Sequence, residues 1–295
     1  ATPKENMNRI YTVDEVHFLV SVDSTLHLGH RSVLDETSDT EFHQSSKTPL
    51  PFKMCGIFAV FGLPENSSKY RNDILRMSKL LRHRGPDWNG IACFRNCILT
   101  HERLAIVGLN SGAQPIVDAD HDTAMSVNGE IYNHTELESE LKKNNPNLFD
   151  AFTTDSDCEV LLHLYKTKGT DFLENTLVNG MYAFVLYDKM KDEYVVARDP
   201  VGIIPLYIGY GVDGSVWFSS EMKALQANCS HFESFPPGHY YVGKSFHGEV
   251  KGEMKPFYHS QWFNDLELIP DRPLDLAEFR TQLSGSVSLK NNSSN

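Results

Sequence analysis

Apolar residues follow two regimes along this chain. Across residues 1–53 they are sparse among Ser, Thr, His and Asp, and the one apolar pattern there, residues 16–22, is too short to make a domain alone. This stretch reads as a poorly ordered leader. At Met54 the texture changes: residues 56–62, GIFAVFG, are a compact apolar run with glycine at both ends, as a buried strand would have. Residues 67–81 then place Ile74, Met77 and Leu81 at helical spacing, and HRGPD at 83–87 ends that helix with Gly85 and Pro86. Short strands are predicted at 91–94, 98–101, 104–107 and 124–128. Thr135 with Glu138, and Ser156 with Glu159, have capping-box spacing and open helices over 136–144 and 157–168 that carry Leu137, Leu141, Leu161, Leu164 and Tyr165. The period then shifts towards two, with strands at 181–187, 193–198, 205–210 and 215–219 and a Gly-Pro-rich continuation over 235–256. An amphipathic helix is predicted at 274–283, and the polar KNNSSN end is expected to fray.

Many strands on short connections, with helices grouped between two sets of them, predict an α+β fold of two stacked, mainly antiparallel sheets with helices on the outer faces. The expected divisions are a leader over 1–53, a catalytic domain over 54–262, and a linker with a disordered tail over 263–295. No internal repeat interrupts this plan.

Composition narrows the function. The chain has 295 residues, 39 acidic against 27 basic, and a net charge of −12, which argues against a nucleic-acid surface and against an anionic membrane as partner. No apolar run approaches the roughly 18 residues a membrane span needs. The leader lacks the apolar core of a secretory signal and is too acidic for a transit peptide, so the cytoplasm is the expected compartment. Five cysteines, an odd number, read as reduced thiols and not as a disulfide framework. Cys93 and Cys97 make a C-x3-C, but no second pair at ligand spacing completes a zinc site, so no metal is assigned.

Cys55, alone, would read as an ordinary core residue. Its company argues otherwise: Arg103 in HERLAIV, Asn128, Gly129 and Glu130 in NGEIYN, and Asp157 in TDSDCE are polar groups at predicted element ends, where a scaffold presents function. If they converge, each suits one part of glutamine. A guanidinium matches the α-carboxylate and carboxylates match the α-ammonium. An Asn side-chain NH2 and a glycine N–H suit the oxyanion that forms when sulfur attacks the amide carbon. No histidine is placed as the base; an α-amine, with a pKa of about 7.7 to 8.0, could serve if Cys55 were the first residue of the mature chain. Blander readings hold elsewhere. Arg198 and Asp199 read as a structural ion pair, Glu221 and Lys223 as a solvated helical turn, His83 and His101 as hydrogen-bonded scaffold, and Cys158 as a small helix-packing residue.

From MCGIFAVFG onward the chain resembles the N-terminal glutaminase half, a class II glutamine amidotransferase, of glutamine-hydrolysing asparagine synthetase. The resemblance runs through HRGPD, RLAIVGL, QPI, NGEIYNH, SDCEVLLHLY, NGMYAFVLYD, ARDPVGIIPLY, FSSEMKAL and FPPGHY, in that order. It implies the four-layer αββα sandwich of the N-terminal-nucleophile hydrolases. It also implies Cys55 as nucleophile, Asn128 and Gly129 as oxyanion hole, Arg103, Glu130 and Asp157 as glutamine clamp, and Leu104, Ile106 and Val107 as pocket lining. The expected reaction is glutamine and water to glutamate and ammonia, with glutamine as the small-molecule partner and a homodimer or a synthetase polypeptide as possible protein partners.

Two departures bear on that expectation. The family's nucleophile follows only a trimmed methionine, whereas 53 residues precede Met54 here. The active form is therefore expected to begin at Cys55. The family also continues into an ATP-binding module with an SGGxDS loop, which Ser284-Gly285-Ser286 does not reproduce. ATP and magnesium would be used by that missing synthetase domain, no cofactor is expected in this chain, and asparagine formation by it alone is not expected. The alternatives are a stand-alone amidotransferase subunit and a non-catalytic glutamine-binding or interaction module with a blocked Cys55.

Overall fold

The computed structural model describes residues 9–13, 16–22, 54–105, 112–146, 151–246, 249–258 and 275–292. In chain order these form β1 (Arg9–Val13), β2 (Val16–Val22), β3 (Gly56–Phe61), α1 (Arg71–Ser78), β4 (Trp88–Cys93), β5 (Cys97–Arg103), β6 (Ile116–Val117) and β7 (Thr123–Ile131). There follow α2 (His134–Asn144), α3 (Glu159–Lys168), α4 (Phe172–Asn175), β8 (Gly180–Asp188), β9 (Glu193–Arg198), β10 (Tyr207–Gly211), β11 (Val216–Ser219), β12 (Cys229–Ser234), β13 (His239–Phe246), β14 (Glu249–Pro256) and α5 (Leu276–Asn292).

The strands build two antiparallel sheets. One has eight strands in the order β1-β2-β4-β5-β3-β11-β10-β12, and the other six in the order β14-β13-β9-β8-β7-β6. Because side chains alternate across a strand, β3 serves two cores at once. Ile57, Ala59 and Phe61 enter the space between the sheets, where they join Leu99, Val185, Val196 and Phe218, while Phe58 and Val60 pack outward with Ile74 of α1 and Leu81. Both faces are covered, so the run is apolar without alternation. On the other sheet Val127, Phe184 and Leu186 face outward to Leu137 of α2, Leu161 and Leu164 of α3, and Phe172 of α4. Helix, sheet, sheet, helix is the αββα order anticipated above. Phe61 stacks on Tyr194 of the opposite sheet at a centroid distance of 4.1 Å, a contact worth about 0.5–1.5 kcal/mol beyond the area it buries.

Several expectations need correction. The apolar run in the leader is strand β2, which pairs with β4 and extends the larger sheet, because an edge strand offers unpaired N–H and C=O groups to any apolar segment that can lie along it. The strand expected at 104–107 does not continue past Arg103: the Leu104 N–H is given to Cys55 Sγ and the Ala105 N–H to Asp87, so neither joins a ladder. Residues 106 and 107 lie outside the described residues. Thr135 does not cap α2, which starts one residue earlier, and Asn133 at its N-cap position makes no side-chain cap bond. Its side chain instead spans Leu177 O and the Asn179 N–H. The tail is not wholly irregular either, since α5 runs to Asn292, with Leu276, Phe279 and Leu283 exposed on it. Cys93 and Cys97 sit in different cores, on opposite faces of their hairpin.

Candidate active site

Strand register brings the first group of residues together. In the β3–β5 pair Gly56 lies opposite Glu102 and Ile57 opposite His101, so the next step outward sets Cys55 beside Arg103. Ile57 points between the sheets, and by alternation Cys55 and Arg103 share that direction. On the facing sheet Met125, Val127 and Ile131 of β7 point outward to the helices and Ala124 points inward. Ser126, Asn128 and Glu130 therefore also project inward. Sulfur, guanidinium, amide and carboxylate thus enter one inter-sheet space from two sheets.

Cys55 is half-buried. Its Sγ accepts the Leu104 N–H at 3.3 Å. Burial pushes the Cys55 thiol up, against the opposing pull of the Leu104 N–H and the Arg103 and Arg84 charges. The resting sulfur is consequently a thiol at neutral pH, and attack by it requires a base. His101 does not supply one. Burial, then the Arg103 charge, pull its imidazole down to about 3. The Ser126 hydroxyl donates to Thr100 O at 3.1 Å, so His101 Nδ1, 2.9 Å away, donates to that hydroxyl. Its role is scaffold, as read from sequence.

Asn128 is 4% exposed, and its Nδ2 has no hydrogen-bond partner among the described residues. Gly129 follows with φ +151°, a conformation other residues rarely adopt, and a Cβ there would fall 2.1 Å from Met181 O. Glu130 Oε2 is likewise buried and without a partner among the described residues. Asp157 comes from the bend before α3, and its Oδ2 accepts the Ile131 N–H at 2.6 Å. Burial raises its carboxyl above the ordinary range. Cys158, buried, donates its thiol to Gly129 O at 3.5 Å, and burial drives that thiol well up. Burial and then the charges of Glu130, Asp199 and Asp157 raise the Tyr132 phenol. Arg103 is pulled down by burial, opposed by Cys55 and Asp87. Of the residues expected at the site, Cys55, Arg103 and Leu104 are brought together at the ends of β3 and β5, Asn128, Gly129 and Glu130 lie towards the end of β7 with Asp157 tied to that end, and Ile106 and Val107 lie outside the described residues.

Sequence reasoning missed Arg84 and Glu221. Arg84 Nε donates to Cys55 O at 3.1 Å and its Nη1 reaches Glu221 Oε1 at 3.3 Å. Glu221 also meets His83 at 2.9 Å and Lys223 at 3.0 Å, so it is a bridge between charged groups and not a solvated turn residue. The available signal was Gly85: a Cβ there would meet Glu102 O at 2.1 Å, which means the 83–87 turn is pressed onto β5. Arg198 and Asp199 shape a loop. Asp199 accepts the N–H groups of Val201, Gly202, Ile203 and Ile204, and Arg198 donates to the carbonyls of Gly202, Ile204 and Phe235.

The described residues contain no helix long and apolar enough to cross a membrane. Residues 54–240 match the glutamine amidotransferase domain family. Asparagine synthetase [glutamine-hydrolyzing] 2 of Arabidopsis thaliana is 47% identical over 234 residues, 79% of this chain and 38% of its own. The probable asparagine synthetase [glutamine-hydrolyzing] of Dictyostelium discoideum is 52% identical over 192 residues, 65% of this chain and 34% of its own. The chain thus spans little more than a third of these curated relatives. The glutamine phosphoribosylpyrophosphate amidotransferase of B. subtilis superposes with a TM-score of 0.53 at 23% identity, over 70% of this chain and 50% of that one, a likeness of fold. With its matched region starting at Met54 and taking in every residue of the inter-sheet site, this chain belongs to the glutamine amidotransferase domain family.

Proposed function

We propose that this chain hydrolyses the side-chain amide of glutamine to glutamate and ammonia, with Cys55 as nucleophile. The observation that carries the reading is the buried Asn128 amide, directed into the space that receives Cys55 and Arg103, with an NH2 group unmatched among the described residues. Such a donor suits an acceptor that exists only during reaction.

In the proposed sequence the α-carboxylate of glutamine pairs with Arg103, its α-ammonium with Glu130 and Asp157, and its methylenes lie against Leu104. The Cys55 thiol gives its proton to the residue's own α-amine, and sulfur attacks the amide carbon. Asn128 Nδ2 and the Gly129 N–H receive the oxyanion. As the tetrahedral species collapses, the C–N bond breaks and the ammonium of Cys55 protonates the departing ammonia. Water then cleaves the γ-glutamyl thioester, with the amine accepting its proton. The sequence requires a free amine on Cys55, so the active form in this proposal has residues 1–54 removed. By analogy with the curated relatives, the ammonia is proposed to serve ATP-driven amidation of aspartate to asparagine, a step for which no residue of this chain is assigned.

Glutamate release from glutamine by the chain beginning at Cys55, measured beside Cys55→Ala, tests the proposal. Turnover that vanishes in Cys55→Ala supports it, and turnover that survives overturns it. The Met54–Cys55 peptide bond favours a second reading for the longer form, a glutamine-binding module without turnover, which calorimetry on the leader-bearing chain would reveal as binding with no glutamate produced.

A further inference from the structure

Glu159 opens α3 and is 1% exposed. A buried carboxylate is tolerated only with its acceptor positions filled. Here two consecutive residues fill them. The Thr153 N–H and hydroxyl donate to Oε1 at 2.7 and 3.0 Å, and the Thr154 N–H and hydroxyl to Oε2 at 2.7 and 2.6 Å. His163 Nε2 lies 3.5 Å from Oε1, and its ring packs on Phe152 at 4.1 Å between centroids. Burial works against the charge, but the hydrogen bonds from His163, Thr153 and Thr154 outweigh it and keep the carboxyl below its ordinary range. Glu159 is therefore an ionised anchor around which the chain turns.

The turn is continuous with the candidate site. The Thr154 hydroxyl accepts the Ser156 N–H at 3.2 Å, the Ser156 hydroxyl accepts the Cys158 N–H at 3.3 Å, and Ser156 O accepts the Glu159 N–H at 3.1 Å. Asp157, inside this bend, is tied to the end of β7 through the Ile131 N–H. The bend thus has two attachments, one at Glu159 and one at β7, and the carboxylate of Asp157 lies between them.

We propose that Glu159 is a positioning residue for glutamine recognition, fixing the 153–158 bend so that Asp157 meets the α-ammonium of the substrate beside Glu130. The inference rests on the reading of Asp157 given above. A glutamine at 159 has nearly the same shape, but its NH2 would face donors on one of the two threonines. The backbone N–H of that threonine would then lose its acceptor, and Asp157 would lose its fixed direction while Cys55, Arg103 and Asn128 keep theirs.

The test compares glutamine with glutaramate, the same γ-amide without an α-amine, in the chain beginning at Cys55 and in its Glu159→Gln variant. For glutamine the variant raises KM about tenfold, the scale of one lost hydrogen bond to a charged group, with kcat within about twofold. For glutaramate kcat/KM changes by less than about twofold, because the affected contact is absent from that substrate. Thr153→Val, which deletes one hydroxyl donor and leaves the carboxylate, shows the same pattern at about threefold and covers the case of a poorly folded Glu159→Gln. An unsubstituted chain that hydrolyses both amides, with equal losses on both in the variants, overturns the inference and leaves the glutaminase reading standing. A chain that hydrolyses neither amide overturns both.

Discussion

A buried donor without a partner is expensive, on the order of 1–3 kcal/mol, and among the described residues Asn128 carries one. That cost is understandable if the oxyanion supplies the missing acceptor. Asn128→Ala is accordingly expected to lower kcat for glutamine by about 10²–10³-fold with little change in KM, as steady-state kinetics would show. Asp157 presents the complementary case. Burial raises its folded pKa, so the folded state favours the protonated acid, and the stability it contributes is complete below the unfolded pKa and falls as pH rises through the folded one. Asp157→Asn retains an oxygen for the Ile131 N–H and removes this penalty. Thermal unfolding across pH is expected to find the variant more stable than the parent at neutral pH, the gain fading as pH drops towards about 4, while glutamine turnover is lost.

Elements deliver these residues through strand alternation and strand ends. Gly129 gives β7 a conformation that places its carbonyl on Cys158 and leaves no room for a Cβ against Met181 O. Gly129→Ala is expected to cost about 1–3 kcal/mol from backbone strain, before the close contact is counted, and denaturant unfolding measures it. The strands β3, β7, β8 and β9 were readable from sequence because their hydrophobic runs answer to covered faces. Glycines at 56 and 62 further marked where β3 begins and ends. Helix beginnings were less readable. Asn133 spends its side chain on Leu177 and Asn179, more than 40 residues away, and Glu159 turns to Thr153 and Thr154 instead of to Ser156. A local capping rule cannot register either competitor. Arg84, Cys55 and Glu221 meet across sequence separations of 29 and 137 residues, so their link appears only once β3, β5 and β11 lie side by side.

For the whole molecule, two sheets packed face to face make one rigid wall from β3 and β5 and another from β7, and the site lies where their ends open. The candidate residues stood out in sequence because Arg103, Asn128, Gly129 and Glu130 lie towards the ends of β5 and β7 and Asp157 lies in the bend before α3, where polar groups are not consumed by the core. What the folded chain adds is the state of the sulfur: half-buried, raised in pKa, and with His101 too weak a base to deprotonate it. The proposed proton acceptor is the amine of Cys55 itself, which a preceding residue converts to an amide. Retaining Met54 is therefore expected to reduce kcat by about 10²–10⁴-fold, the usual contribution of a general base, with the fold unchanged by circular dichroism.

Acid-quenched mass spectrometry of the chain beginning at Cys55, mixed with glutamine and digested, tests the central claim most directly. The peptide carrying Cys55 should bear a γ-glutamyl thioester that is absent from Cys55→Ala. Glutamate released at an undiminished rate by Cys55→Ala, or a γ-glutamyl group found on any other residue, would contradict it.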